Sequence, residues 1–413
     1  MTKPDWYRPR GYLHFDVPVQ AEYAEGLTPS AVAAHVWSPL IHFIKTERRY
    51  KAKLNKTVPK DRPIMFASHR DSCILSKYSA HLVRRLDKWY ADNGLDDTVI
   101  AYRALGKSNY HFARRVEDFV RSNPSLTVMC FDVTKFFDNL EHVRLKAQLK
   151  RILDCDELTP DWFAVFKAVT QFRFVHLEEL KKHGDIAAKL KARKPHPLVT
   201  IAEVKTLGIA IEKNPVRKGI PQGTPISASF SNLYMTEFDK EMQAEAAKRG
   251  ALYQRYSDDI LVACPKPRWK VLKALVEEKL EEHGLELQGD KTEVVHLDSG
   301  SSLTFQYLGY QLGHVDARLR LKSLSRQWRT AKRAIKKTER VGQRAISSGK
   351  AKQIFTRKLH KRFTNAGSRN FLNYAARSAE TLESPTIKKQ AKRLRRYVQH
   401  ELARIRGKPK PFP

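Results

Sequence analysis

The chain has 413 residues, 41% hydrophobic and 10% aromatic, enough for a packed core and too many for a chain disordered throughout. No apolar run reaches the ~18–20 residues a membrane span needs, and no secretory signal opens the sequence, so a cytoplasmic protein is expected. With 77 Lys+Arg against 44 Asp+Glu, the net charge of +33 argues for a polyanionic partner, in a soluble protein usually nucleic acid.

The stretch to Asn55 mixes aromatics with cations (Trp6, Tyr7, Arg8, Arg10, Tyr12). It reads equally as a stacking arm for single-stranded nucleic acid or as an arm packed on the body. Ser108 to Arg121 sets Phe112, Val116, Phe119 and Val120 on one helical face, with Ser108 as N-cap. Leu126 to Val133 reads as a buried strand, and a helix is expected from Asn139 to Leu153. About Glu178 to Glu212 is Lys-rich and poorly periodic, as an insertion would be. Ala251 to Ala263 is two apolar runs joined through Ser257-Asp258-Asp259, a hairpin with acids at its turn. Val271–Leu280 is an amphipathic helix, and Thr292–Leu297 and Thr304–Leu312 read as strands. From about Ser325 the pattern is helical, closed by Pro409, Pro411 and Pro413.

The charge concentrates in that last part. Arg318 to Pro413 holds 29 Lys+Arg and 4 Asp+Glu, a net of +25, so the preceding 317 residues carry only the other +8 of the +33. A nearly balanced body with a basic, helically periodic tail reads as a core plus a polyanion clamp. Cys73, Cys130, Cys155 and Cys264 form no CxxC pair and fit no zinc spacing; reduced thiols are expected.

Two adjacent carboxylates at an apolar hairpin tip repel each other unless a cation sits between them. Asp132 ends the buried strand, so Asp132, Asp258 and Asp259 supply three carboxylates from two strand ends. That is a ligand count for two Mg²⁺ ions about 3.5–4 Å apart, the arrangement that drives in-line phosphoryl transfer.

With these residues the sequence resembles the right-handed polymerases, specifically the reverse transcriptases, from about residue 56 to 312. The family's motifs occur in order. They are the aspartate strand Phe131–Asn139, the Pro-Gln-Gly loop Lys218–Ser227 and the hairpin Tyr256–Asp259. The lysine motif Gly284–Thr292 and the primer grip Phe305–Tyr310 follow. Upstream, Arg62-Pro63-Ile64 with Ser68–Asp71, and Ala101–Ser108, resemble the fingers motifs.

The resemblance implies an α+β right-hand polymerase with fingers, a palm built on an antiparallel sheet and a helical thumb. The expected division is an N-terminal extension over 1–55, fingers over 56–128, a palm over 129–312 and a basic thumb over 313–413. The palm would carry a fingers-type insertion at about 145–215. Asp132, Asp258, Asp259 and the backbone carbonyl of Val133 would hold two Mg²⁺ ions, with Mn²⁺ as a substitute. Lys291 would protonate the departing pyrophosphate. Arg62 and Arg70 would hold the incoming triphosphate by bidentate contacts, with Gln222 behind the nascent pair. Phe137 would reject a ribose 2′-hydroxyl. Arg103 and Lys107, the primer grip at Tyr307 and Gly309, and the helical stripe Lys332, Lys336, Lys337 and Arg340 would track nucleic acid.

The residues after Leu312 leave room for a thumb but not for an RNase H, integrase or large endonuclease domain. Asn365-Ala366-Gly367-Ser368-Arg369 and Arg340-Val341-Gly342 depart from the retron signatures Asn-Ala-x-x-His and Val-Thr-Gly. The remaining resemblance is to bacterial defence-associated reverse transcriptases, related to group II intron and retron enzymes. These imply dNTPs as substrates, a structured noncoding RNA as template, a cDNA product and anti-phage function, with no membrane and an unknown protein partner. Two other functions stay open: untemplated or protein-primed DNA synthesis of abortive-infection type, and a non-catalytic RNA-binding scaffold.

Overall fold

The computed structural model describes residues 3–51, 55–192, 194 and 196–407; Pro409, Pro411 and Pro413 lie outside the described residues. The N-terminal arm packs on the body. Tyr7 is buried, and the Tyr12 hydroxyl donates to the Ala67 carbonyl at 2.7 Å.

Four strands that periodicity did not signal follow: β1 (Leu40–Ile44), β2 (Glu47–Lys51), β3 (Lys56–Lys60) and β4 (Pro63–Phe66). β2 and β3 form a separate ribbon. After β4, α1 (His69–Asp92) starts on Ser68, whose hydroxyl accepts the Asp71 amide. It buries Leu75, Tyr78, Leu82, Leu86 and Tyr90, a stripe at helical spacing. α2 (Asn109–Ser122) buries Phe112, Val116 and Val120, as the spacing predicts, and leads into β5 (Ser125–Asp132).

α3 (His142–Leu153), α4 (Pro160–Thr170), β6 (Arg173–His176) and β7 (Glu212–Lys213) come next. The first sheet has the order β4-β1-β6-β7, so strands from residues 40–44, 63–66 and 173–176 share it. Between β6 and β7 lie three short helices, at Leu177–Lys181, Gly184–Ala192 and Ile201–Thr206. Their apolar residues build a small core of their own with Ile41 and Val175.

α5 (Ser227–Tyr234) and α6 (Thr236–Lys248) precede the hairpin β8 (Leu252–Tyr256) and β9 (Asp259–Pro265). α7 (Trp269–Glu282) and β10 (Glu293–Asp298) complete a second, fully antiparallel sheet of order β10-β5-β9-β8. β5 is apolar along its length because it is buried on both faces. Met129 and Phe131 enter the large core with α1, α5 and α7, whereas Leu126 and Val128 enter a second core with the C-terminal elements.

The expected single strand over Thr304–Leu312 is two strands, β11 (Phe305–Tyr307) and β12 (Tyr310–Leu312). Leu308 (φ 46) and Gly309 (φ 94) form a two-residue turn closed by the Tyr307–Tyr310 pair. A leucine at positive φ is uncommon and hides the turn in an apolar run. β13 (Arg318–Leu319) adds a third strand. The helical region then starts at Leu321, earlier than expected, with α8 (Leu321–Ser347), α9 (Arg357–Phe363), α10 (Phe371–Thr381) and α11 (Pro385–Ile405). Their core is Ala331, Ile335, Leu359, Phe363, Leu372, Leu394, Val398 and Leu402. No helix among the described residues is long and apolar enough to cross a membrane.

Candidate active site

The ladder between β5 and β9 runs in a register that sets Asp132 directly opposite Asp259, the last residue of one strand against the first of the other. Asp258 occupies the turn between β8 and β9, and its carbonyl accepts the Val133 amide at 3.3 Å. Two strand ends thus deliver three acids to one end of the sheet. Lys291, on a short 3₁₀ turn before β10, places its ammonium 2.6 Å from Asp132 Oδ1. The Gln288 amide donates to the Asp132 carbonyl at 2.8 Å and fixes the lysine's segment beside the strand.

Asp259 feels the crowding. Burial, then the negative charges of Asp258 and Asp132, push its carboxyl up to about 6, against the opposing pull of Lys291 and Arg320. Arg320 and Asn109 line the same cleft of about 480 Å³ as Asp132, Tyr256, Asp259 and Gly309. Neither was singled out as a site residue from the sequence; β12–β13 pairing and the hydrogen bond from the Arg320 amide to the Gly309 carbonyl, 2.9 Å, bring the start of α8 here.

The acids fit hard divalent cations. They are oxygen donors, and burial first, then the negative charges of Asp258 and Asp132, raise the Asp259 carboxyl, the last a repulsion that a cation would relieve. Among the described residues no three His, Cys, Asp or Glu side chains converge to hold an ion alone. An ion here would need ligands beyond these side chains, as Mg²⁺ does when water and substrate phosphates complete its octahedron.

The Pro-Gln-Gly loop is held by backbone contacts. The Met65 amide of β4 donates to the Gln222 carbonyl at 2.8 Å, and the Ile220 amide to the Phe137 carbonyl at 2.9 Å. Gly223 (φ 116) is obligatory: a Cβ there would stand 2.7 Å from the Met65 carbonyl oxygen. Gly219 (φ 84) is equally confined, 2.9 Å from the Asp138 carbonyl. One loop therefore bridges the β4 strand and the short helix Phe136–Asp138 that follows β5. Phe136 is buried; Phe137, half-buried, packs edge-on against it with centroids 5.5 Å apart.

Arg70 is exposed at the first turn of α1, its guanidinium 6.0 Å from the Tyr23 ring. Arg62 is half-exposed beside β4, 4.0 Å from Glu47. On α8, Lys332, Lys336, Lys337 and Arg340 all face solvent, opposite the buried Ala331 and Ile335. Lys107 is exposed and paired with Asp97 at 2.6 Å.

Two residues expected to contact nucleic acid have their side chains engaged within the protein. Arg103 has a side chain only 3% exposed, bonded to Asp87 at 2.6 Å, to Asp96 at 2.7 Å and to the Val99 carbonyl at 3.0 Å. With its guanidinium so committed, and 4.6 Å above the Tyr90 ring, it braces the loop after α1 and has no fork left for a phosphate. Tyr307 is 5% exposed, and its hydroxyl donates to Gln254 at 2.7 Å. Its ring belongs to the core, and Tyr307 borders the cleft together with the half-exposed Leu308-Gly309 turn.

The reverse transcriptase (RNA-dependent DNA polymerase) family model matches residues 59–312, more than half of the chain, and the chain belongs to that family. Its α+β architecture is that of a right-hand polymerase. The chain is 32% identical over 98 residues to the Retron Mx162 reverse transcriptase of Myxococcus xanthus, a match covering 21% of this chain and 20% of that protein. It therefore spans about a fifth of that curated relative. Among solved structures it is similar to apo telomerase from Candida tropicalis, with a TM-score of 0.47 and 13% identity over 90% of this chain and 61% of that one. Telomerase from Candida albicans with a TWJ fragment of telomeric RNA gives 0.45 and 13% over 93% and 65%.

Proposed function

We propose that this chain is an RNA-directed DNA polymerase that copies a structured noncoding RNA into cDNA by two-metal nucleotidyl transfer, in the bacterial cytoplasm and in anti-phage defence. The observation that carries the polymerase reading is the pairing of Asp132 with Asp259, Asp258 at the adjoining turn, in a member of the reverse transcriptase family. The exposed cationic stripe of α8 supports a polyanionic template. The defence role rests on the sequence resemblance to bacterial defence-associated reverse transcriptases.

Asp132, Asp258, Asp259 and the Val133 carbonyl would hold the ions. When bound, Mg²⁺ supplies Lewis-acid activation of the primer hydroxyl and neutralises phosphate charge. The protein's own groups perform the remaining work. Arg62 and Arg70 draw the triphosphate toward the sheet edge. The Gln222 loop, pinned to β4, backs the nascent pair, and the Phe137 ring excludes a 2′-hydroxyl from the sugar pocket. Lys291 releases Asp132 and passes its proton to the departing pyrophosphate oxygen. The Leu308-Gly309 turn holds the primer end over the cleft, and α8 tracks the duplex backbone.

Sequencing the RNA and DNA that co-purify with the protein tests this reading. One dominant RNA, with DNA complementary to part of it, is expected; bulk cellular RNA and no complementary DNA would contradict it.

A further inference from the structure

Among the described residues the largest fully buried side chain is an arginine, three residues before the acid at the hairpin turn. Arg255 lies on β8 with no exposed surface, and neither has its partner Asp239 of α6. The pair is bidentate: Nε to Oδ1 at 2.7 Å and Nη2 to Oδ2 at 2.6 Å. A buried ion pair is poor evidence for stability, because the cost of stripping water from both charges offsets most of their attraction. Its placement in the core calls for another reason.

The third nitrogen supplies one. Nη1 donates to the carbonyl oxygen of Ser257 at 2.9 Å, and also lies 3.3 Å from Asn232 Oδ1. Ser257 is the residue between β8 and Asp258. It sits at φ 60, a left-handed conformation that a non-glycine residue holds only where its surroundings over-determine it. Its own hydroxyl is buried and makes no hydrogen bond, so it does not hold the turn. The carbonyl clamp does. The clamp is itself braced: Tyr253 donates to Asp239 at 2.7 Å, Asn232 to the Ala101 carbonyl at 2.8 Å, and the Arg255 amide to Thr98 at 2.8 Å. Only a planar fork meets both acceptors at once; a lysine ammonium is a single point.

We infer that Arg255 is a positioning residue: by gripping the Ser257 carbonyl it fixes the pitch of the turn, and hence where the Asp258 and Asp259 carboxylates stand relative to Asp132. The inference rests on the reading of those acids as the polymerase site. Arg255 touches no substrate; it acts through the turn.

The test compares Arg255→Lys with Tyr253→Phe in the full chain. Tyr253→Phe removes a bond to Asp239 and leaves the Ser257 clamp intact. For Arg255→Lys, kcat should fall on the order of 10- to 100-fold, the usual penalty for a sub-ångström to ångström misplacement. KM for dNTP should stay within about twofold, since ground-state binding is untouched. Mn²⁺ binding, read by electron paramagnetic resonance without substrate, should weaken several-fold. Tyr253→Phe should lower the melting temperature while keeping kcat and Mn²⁺ affinity. Wild-type kcat and Mn²⁺ affinity in Arg255→Lys would overturn the inference. So would an equal loss in Tyr253→Phe, which would make the cluster merely structural. Should Arg255→Lys not fold, Arg255→Gln, whose single amide cannot serve Asp239 and the Ser257 carbonyl together, is read for the same two quantities with the same expected loss; wild-type values there would overturn it. If the wild-type chain shows no metal-dependent incorporation, the polymerase reading fails, and the Mn²⁺ comparison still decides the role of Arg255.

Discussion

Lys291 rests on Asp132, its ammonium nitrogen 2.6 Å from Oδ1. In the proposed reaction one lysine would serve two tasks that exclude each other in time: it would offset the acid cluster's charge before the substrate binds, and would have to leave Asp132 to meet a pyrophosphate oxygen.

Replacing Lys291 should therefore expose both tasks. Lys291→Ala should lower kcat by about 10²-fold, the lower end of what a general acid contributes. It should also remove the charge that pulls the Asp259 carboxyl down, raising it further. The acid limb of the activity profile should move to higher pH. Rate–pH curves of the two proteins on a primed RNA check this; a parallel loss at every pH would assign Lys291 to proton donation alone.

Asp259 should destabilise the metal-free protein at neutral pH. Its folded carboxyl is raised from the ordinary 3.8 to about 6, so the folded state holds that proton more tightly than the unfolded chain. The stability it contributes is complete below the unfolded value and is lost as pH rises through about 6. In EDTA at about pH 7.5, Asp259→Asn should melt higher than wild type, and the gap should close toward about pH 4. Added Mg²⁺ should narrow it by stabilising wild type. Thermal melts across this series read the outcome.

Phe137→Ala should admit ribonucleotides. The half-buried ring packs against Phe136 at the margin of the main core, so the variant should fold with a moderate loss of stability. The preference for dNTP over NTP, as a ratio of kcat/KM, should fall by roughly 10- to 100-fold, the scale of one pocket contact. A wild-type enzyme that uses both sugars equally would deprive Phe137 of this role.

Neutralising Lys332, Lys336, Lys337 and Arg340 should weaken RNA binding and flatten its salt dependence. Each phosphate contact contributes about −0.9 to the slope of log K against log salt on duplex DNA, and about −0.7 on single strands. Turnover per bound complex should change less, because these side chains are exposed on α8 and do not line the cleft that holds Asp132 and Asp259. Binding isotherms at several salt concentrations, set beside single-turnover extension, separate the two effects.

The acid strand and hairpin were legible because β5 and β9 are largely buried apolar runs, the first ending and the second beginning in an aspartate. The α8 stripe was legible because its cations recur at helical spacing. Other parts were not. β1 to β4 are short, and the polar ribbon of β2 and β3 has no apolar face to mark it. The Leu308-Gly309 turn was masked by a leucine in a conformation leucine seldom takes. Arg103 looked like a phosphate ligand because its partners, Asp87 and Asp96, meet it only after the chain has turned at the end of α1. Arg255 was invisible for the same reason: nothing in Gln254-Arg255-Tyr256 tells that Asp239 waits in the core.

The central claim is that Asp258 and its two neighbouring acids perform metal-dependent DNA synthesis on RNA. The most direct measurement is extension of a primed RNA template with dNTPs and Mg²⁺ by wild type and Asp258→Ala, with the RNA affinity of each measured in the same buffer. The account predicts extension by wild type, none by the variant, and equal RNA binding by both, since the acids hold metal and not phosphate. Extension by a folded Asp258→Ala protein at the wild-type rate would contradict it.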